Sequence, residues 1–252
     1  MDSILNMLEK APYNVKVIKF DELPSTNKYA VEYARNGGEC ALVIAKAQSA
    51  GRGRLNRSFS SLTGGLYMSL LIRPHLNASD ILKITPLAAV AAVRAIKRLT
   101  GIEPKIKWVN DLYIGERKLA GILTEGAFTA NGALDYAVVG IGVNINDVDF
   151  PPEIQNIATT LSAHTKSLPT PEALGGQIAK ELLDILASQD FTDTLDEYRA
   201  LSMLKGRTVT VNKYSESYRA TVIDIDEDIN LVLMLADGSI EHLSTDEISI
   251  NL

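Results

Sequence analysis

Residues 105–146 read "KIKWVNDLYIGERKLAGILTEGAFTANGALDYAVVGIGVNIN" and carry the information that decides the fold class. Three runs rich in β-branched and aromatic residues stand out: "KIKWVNDLYI" (105–114), "RKLAGILTEGAF" (117–128) and "LDYAVVGIGVNIN" (134–146). Each reads as a strand. The dipeptides between them, Gly115-Glu116 and Asn131-Gly132, are turn formers, and Asn-Gly is a strong hairpin signal. The centre of the chain is therefore a succession of strands joined by short turns.

Outward from this centre the pattern becomes mixed. "NVKVIKFDEL" (14–23) alternates Val15 and Val17 with polar residues and predicts a strand. "PSTNKYAVEYARNGG" (24–38) predicts a helix, with capping residues at Ser25, Thr26 and Asn27, an apolar stripe of Ala30, Tyr33 and Ala34, and Gly37 at its end. "CALVIAKAQ" (40–48) and "GGLYMSLLIRP" (64–74) predict buried strands. A long helix is expected over 79–101, with Ser79 as cap, Gly101 past its end, and Pro86 marking a kink or the true start. Helical patterns return at 171–188 and 193–204. From Gly206 onward short alternating segments, with Asp237-Gly238 as a turn, predict a small β-barrel or sandwich. The expectation is an α+β domain over residues 1–204 and an all-β module over 205–252.

The 252 residues include 25 Lys+Arg and 31 Asp+Glu, a formal charge of −6, with 46% hydrophobic residues. This is a globular composition, and an acidic total argues against bulk binding to nucleic acid. No window approaches the roughly 18–20 apolar residues of a membrane span. The N-terminus lacks the basic and apolar regions of a secretion signal, so a cytoplasmic location is expected. Cys40 is the only cysteine, which excludes an internal disulfide, and "CALVIA" reads it as a small hydrophobe on a buried strand. His75, His164 and His242 have no metal-ligand spacing.

Against this acidic background, "QSAGRGRLNRSF" (48–59) concentrates Arg52, Arg54 and Arg57 among glycines. Gly51 and Gly53 let backbone N–H groups approach a ligand, and arginines add bidentate, charge-assisted donors. The matching guest is a phosphate or carboxylate, although a solvated turn or a nucleic-acid contact uses the same residues. The loop is neither a Walker loop nor a dinucleotide fingerprint, because Asn56 stands where a third glycine belongs. Downstream, Lys107, Trp108, Asn110 and Asp111 lie on or just past a predicted strand, and Lys118 precedes Gly121 on the next. Singly each is a strand with polar edges. Together they supply the cations, amide, carboxylate and aromatic face that activated-acyl chemistry uses.

The set "STN" (25–27), "QSAGRGRLNRSF", "KWVNDLY", "KLAGIL" and "GIGVNIN", in this order, resembles the biotin–protein ligases over about residues 15–150, and the C-terminal β-module also matches. The resemblance implies a mixed sheet flanked by helices, like that of class II synthetases, with a small C-terminal SH3-like β-barrel. It implies an enzyme that joins biotin to ATP as biotinyl-5′-AMP, releases pyrophosphate, and transfers biotin to one lysine of a biotin carboxyl carrier protein. Lys118, Arg54 and Asp111 would be catalytic: Lys118 touching the biotin carboxylate and the α-phosphate, Arg52 and Arg54 closing over the adenylate, and Asp111 steering or deprotonating the acceptor. Ser25, Thr26, Asn27, Gln48, Gly51, Gly53 and Gly121 would frame biotin and its adenylate. Lys107, Trp108, Asn110 and Asn144 would serve the nucleotide, with Phe59 packed on adenine.

No protein metal site is implied, since Mg²⁺ would be held by ATP phosphates and water. Three positions leave the family pattern: Asn56 for glycine, Phe59 for tryptophan and Val109 for proline. About fourteen residues precede the first strand, too few for the DNA-binding domain some members carry, so neither DNA nor a membrane is expected as partner, and a homodimer along sheet edges is. The alternatives are a lipoate–protein ligase, which shares this chemistry, a non-catalytic biotin or nucleotide sensor, and a nucleic-acid-binding module.

Overall fold

The computed structural model describes residues 3–10, 12–54, 58–74, 76, 78–213, 216–244 and 248–251. Asn56, Arg57 and His75 lie outside the described residues. The main body contains α1 (Ser3–Leu8), β1 (Lys16–Leu23), α2 (Thr26–Arg35), β2 (Ala41–Gln48), β3 (Leu66–Ile72), α3 (Ala78–Ile81) and α4 (Ile84–Thr100). It continues through β4 (Lys105–Lys107), β5 (Asp111–Ile114), β6 (Arg117–Phe128), β7 (Leu134–Val143), α5 (Pro171–Ser188) and α6 (Thr192–Ala200). Its strands form one seven-stranded sheet in the order β1-β2-β3-β7-β6-β5-β4. Only β1 and β2 pair in parallel, so the sheet is mixed, as expected.

Helices cover both faces of this sheet, which is why β2 and β3 read as continuous apolar runs instead of alternating with polar residues. Side chains on a strand alternate between faces. Leu42 and Ile44 of β2 accordingly join the larger core under α4 and α5, whereas Ala41 and Val43 join a smaller one with Ala30 and Ala34 of α2. Helix α4 is apolar almost all round, with Leu87 to Val93 fully or nearly fully buried, because it is enclosed between the sheet, α5 and α6. No helix among the described residues is long and apolar enough to cross a membrane.

Three expectations are corrected. The long helix begins at Ile84, and Ser79 falls inside the short α3 instead of capping it. Pro86 sits in the first turn of α4, where its missing N–H leaves no intrahelical bond unmade. The run 105–114 is two strands: β4 and β5 pair antiparallel with Lys107 opposite Asp111, and residues 108–110 turn between them. No glycine or proline marks that turn. Tertiary bonds hold it instead, with Tyr198 Oη donating to Val109 O at 3.1 Å and Asn110 Nδ2 to Ile122 O at 2.8 Å. Cys40 stands one residue before β2 and is half-buried, packed at the edge of the core.

The C-terminal part forms a separate five-stranded antiparallel sheet from β8 (Thr208–Lys213), β9 (Glu216–Ile225), β10 (Leu231–Met234), β11 (Ile240–Leu243) and β12 (Ile248–Asn251). The order is β11-β10-β9-β8-β12, and no ladder among the described residues joins its two ends, so the expected barrel is an open sheet. Val211, Val222, Leu231 and Leu233 are buried within the same core as the main body.

Candidate active site

The N-terminus of α2 opens onto one face of the large sheet. Ser25 has an extended backbone, and its hydroxyl accepts from Lys28 N at 3.4 Å. Thr26 donates through its N–H (2.8 Å) and hydroxyl (3.1 Å) to Gln48 Oε1, and Gln48 Nε2 donates to Ser61 Oγ at 2.8 Å. The end of β2 is thereby tied to the start of α2.

Asn27 is buried and fully engaged. Its Nδ2 donates to Leu123 O at 3.1 Å and Glu125 Oε2 at 2.8 Å, while Oδ1 accepts from Ser69 Oγ at 2.6 Å. It lies directly on Gly140, where a Cβ would come within 1.9 Å of Asn27 Oδ1. The Phe59 ring occupies the neighbouring stretch of the same face. A Cβ on Gly142 would approach it to 2.5 Å and one on Gly121 to 3.3 Å, and these two glycines face each other across β6 and β7. The glycines clear a floor of bare backbone on which flat groups can lie.

Over this floor comes the Gly/Arg loop. Phe59 N donates to Gly51 O at 2.9 Å, and Arg52 is bridged to Ser58 across the loop. Arg52 Nη1 reaches Glu125 Oε1 at 3.2 Å, and Arg54 Nη1 reaches Asn110 Oδ1 at 3.4 Å. From the opposite wall, Lys118 Nζ lies 2.7 Å from Asp111 Oδ1. That oxygen is buried and makes no hydrogen bond of good geometry, so the contact is an ion pair by proximity. The Lys107 ammonium sits 5.6 Å from the centre of the Tyr113 ring. Burial, then the charges of Asp111 and Glu116, push the Tyr113 phenol up to about 12.

These groups enclose a cavity of about 500 Å³. Every site residue expected from the sequence lines it except Gly51 and Asn144. Gly51 packs against Phe59 O and Ser61 Oγ at the base of the loop. Asn144 is buried behind the wall, its Nδ2 donating to Thr159 O at 3.1 Å. Sequence reading missed Tyr113, Glu116, Gly140 and Gly142 in the lining, and Ser69 and Glu125 behind Asn27. Alternating glycines in a strand were the available sign for the floor, whereas nothing in the local sequence points to Ser69 or Glu125.

The lining cations Arg52, Arg54, Lys107 and Lys118 outnumber the carboxylates Asp111 and Glu116, so the cavity is positive in an acidic chain. Such a site suits a guest with more than one anionic group. No cluster of three or more His, Cys, Asp or Glu placed to hold a metal occurs among the described residues.

Residues 20–144, about half of the chain, match the sequence profile of the biotin/lipoate A/B protein ligase family. The bifunctional ligase/repressor BirA of Bacillus subtilis is 43% identical over 150 residues, covering 58% of this chain and 46% of that protein. A biotin–[acetyl-CoA-carboxylase] ligase of Paracoccus denitrificans is 36% identical over 123 residues, or 48% of this chain and 51% of its own. The chain thus spans about half the length of these curated relatives. Among solved structures, the biotin protein ligase from Aquifex aeolicus in complex with biotin and ATP superposes with a TM-score of 0.81 at 26% identity, covering 94% of this chain and 98% of that one. With the sheet order, the glycine floor and the Gly/Arg loop all in place, the chain belongs to the biotin/lipoate A/B protein ligase family.

Proposed function

We propose that this protein is an ATP-dependent biotin–protein ligase, which forms biotinyl-5′-AMP and transfers biotin to a lysine of a biotin carboxyl carrier protein. The observation that carries the reading is the placement of Lys118 at the wall of a positive cavity, facing a loop that brings in Arg52 and Arg54. Joining a carboxylate to an α-phosphate sets two anions against each other, and fixed cations offset that repulsion as charge builds up. Lys118 is the group for both anions, and each charged hydrogen bond contributes roughly 1.5–3 kcal/mol.

Biotin occupies the side framed by Ser25, Thr26, Asn27 and Gln48, with Asn27 held in place by its bonds to Leu123 O, Glu125 and Ser69. The nucleotide takes the side of Lys107, Trp108 and Asn110, with adenine against Phe59. Asp111 and Glu116 are the lining carboxylates, a donor set that fits a Mg²⁺ keeping most of its waters and arriving on the ATP phosphates. When bound, the cation neutralises phosphate charge.

In the transfer step a lysine near its unperturbed pKa is neutral in only about one molecule in a few thousand at pH 7. Asp111 steers or deprotonates that amine. Arg52 and Arg54, closing with their loop, keep water from the mixed anhydride. The proposal extends to a catalytic domain over 1–204 and a C-terminal domain over 205–252, to a homodimer formed along an open sheet edge such as β1, and to a cytoplasmic setting.

The test is pyrophosphate exchange into ATP by purified protein with biotin, with lipoate, and with neither. Exchange that requires biotin supports the reading. Exchange with lipoate alone moves the protein to the lipoate branch, and folded protein with no exchange removes the ligase reading altogether.

A further inference from the structure

We infer that the turn Asp226–Asn230 of the C-terminal sheet is a positioning element for the active-site segment Lys107–Asp111, acting through the Ile229 carbonyl on the Trp108 indole. Trp108 Nε1 donates to Ile229 O at 2.8 Å, a buried bond between residues 121 apart in sequence. Ile229 holds φ at +67°, a left-handed backbone that a β-branched residue adopts only at a cost. Such a conformation persists where its surroundings over-determine it, and it points to a use.

The surroundings here are explicit. Asp226 Oδ1 accepts from the N–H groups of Asp228 (3.0 Å) and Asn230 (2.8 Å), and Oδ2 from Asn230 Nδ2 (3.1 Å) and His242 Nδ1 (2.7 Å). Ile229 N donates to Asp226 O at 3.1 Å, and the Ile229 side chain is 3% exposed. One carboxylate thus organises the whole turn.

Helix α6 ties this turn to the cavity. Tyr198 Oη holds Val109 O at 3.1 Å, and the next residue, Arg199, donates through Nε to Ile225 O at 3.0 Å and through Nη2 to Asp226 O at 3.2 Å. The unmarked turn at 108–110 is therefore gripped on two sides by groups far away in sequence. Asn110 of this turn, with Lys107 and Asp111 on either side of it, lines the cavity. The biotin-side residues on α2 and β2 make none of these contacts. The inference deepens the ligase reading and rests on it for its catalytic consequence.

Trp108 is the only tryptophan of the chain, so its fluorescence reports the contact independently of activity. Asp226→Ala is compared with Asp237→Ala, which removes a similar carboxylate from a turn elsewhere in the same sheet, where Asp237 Oδ1 accepts from Ser239 N at 2.9 Å. The expected result for Asp226→Ala is red-shifted emission and stronger acrylamide quenching in protein whose circular dichroism is unchanged. Biotin-dependent exchange should lose about ten- to a hundredfold in kcat, as misplaced catalytic groups do, with the Kd for biotin unchanged by calorimetry. Asp237→Ala should leave emission and exchange as in wild type. Trp108→Phe should lose exchange similarly, and adding Asp226→Ala to it should cost little more.

Wild-type emission in Asp226→Ala overturns the inference. So does a parallel loss of biotin affinity and exchange, which marks general destabilisation. If Asp226→Ala does not fold, Asp226→Asn is measured in its place. It keeps the oxygen that accepts from Asp228 N and Asn230 N but loses both bonds to Oδ2, from Asn230 Nδ2 and His242 Nδ1. A smaller red shift of the same sense is then expected, and wild-type emission again overturns the inference. Wild-type protein without exchange sinks the ligase reading, and the fluorescence comparison then still decides whether the turn holds Trp108.

Discussion

Replacing Gly140 with alanine separates the backbone's preference from the site's packing. Gly140 has no left-handed φ and lies within β7. On backbone grounds alone, alanine would stabilise by roughly 0.4–1 kcal/mol by restricting the unfolded chain. Packing demands the opposite sign. The added Cβ would stand 1.9 Å from Asn27 Oδ1, and the three atoms nearest to it all belong to Asn27. Asn27 has nowhere to go without breaking its bonds to Leu123 O, Glu125 and Ser69. Two neutral hydrogen bonds and one charged one are together worth about 3–6 kcal/mol, and partial relaxation brings the expected cost of Gly140→Ala to about 2–4 kcal/mol.

The assay is urea unfolding of wild type, Gly140→Ala, Asn27→Ala and the double variant. In the Asn27→Ala background the clashing amide is gone, so Gly140→Ala should there cost less than about 1 kcal/mol. A single Gly140→Ala within about 0.5 kcal/mol of wild type, or the same cost in both backgrounds, would refute the claim that this glycine exists to seat Asn27.

Four further outcomes are expected. Lys118→Ala should fold, because its side chain is about a third exposed, yet lose biotin-dependent pyrophosphate exchange by at least about 10²–10³-fold. Arg54→Gly should still form adenylate but release it, so activated biotin labels bystander proteins more than wild type does in a gel assay. Gly142→Ala should drive out the Phe59 ring, whose Cε1 a Cβ would approach to 2.5 Å, raising the KM for ATP while the Kd for biotin is unchanged. Tyr113 has its pKa raised from 10.0 to about 12, so folding favours the protonated phenol. Its contribution is fully present below pH 10 and is lost as pH rises toward about 12. Thermal melts of Tyr113→Phe should therefore fall less steeply than wild type across that window.

Much of the fold was legible because its signals are local. Ser25 before an apolar stripe, Gly101 after one, and Asn131-Gly132 between two β-rich runs each act over a few residues, and the capped helix ends and the hairpin stand where those signals put them. The same holds for the Gly/Arg loop, whose charge and glycine content mark an anion site without any knowledge of what surrounds it. The misreading of 105–114 as one strand has a tertiary cause. The turn at 108–110 has no turn residue, because bonds from Tyr198 and Asn110 hold it. Pro86 left a kink and a helix start both open, because a proline marks the first turn of a helix and a kink alike, and the helix start is what the structure has.

The sequence by itself determined most strands and helices, the cationic loop and most of the polar lining side chains, because composition and spacing act at short range. Only the tertiary structure decided which backbone lies bare beneath Phe59, why Asn27 requires Gly140, and that Asn144 stands behind the wall. The same is true of the hold that Ile229 has on Trp108 across 121 residues. Those facts depend on which strands become neighbours and which side chains share one face, and no local stretch encodes either.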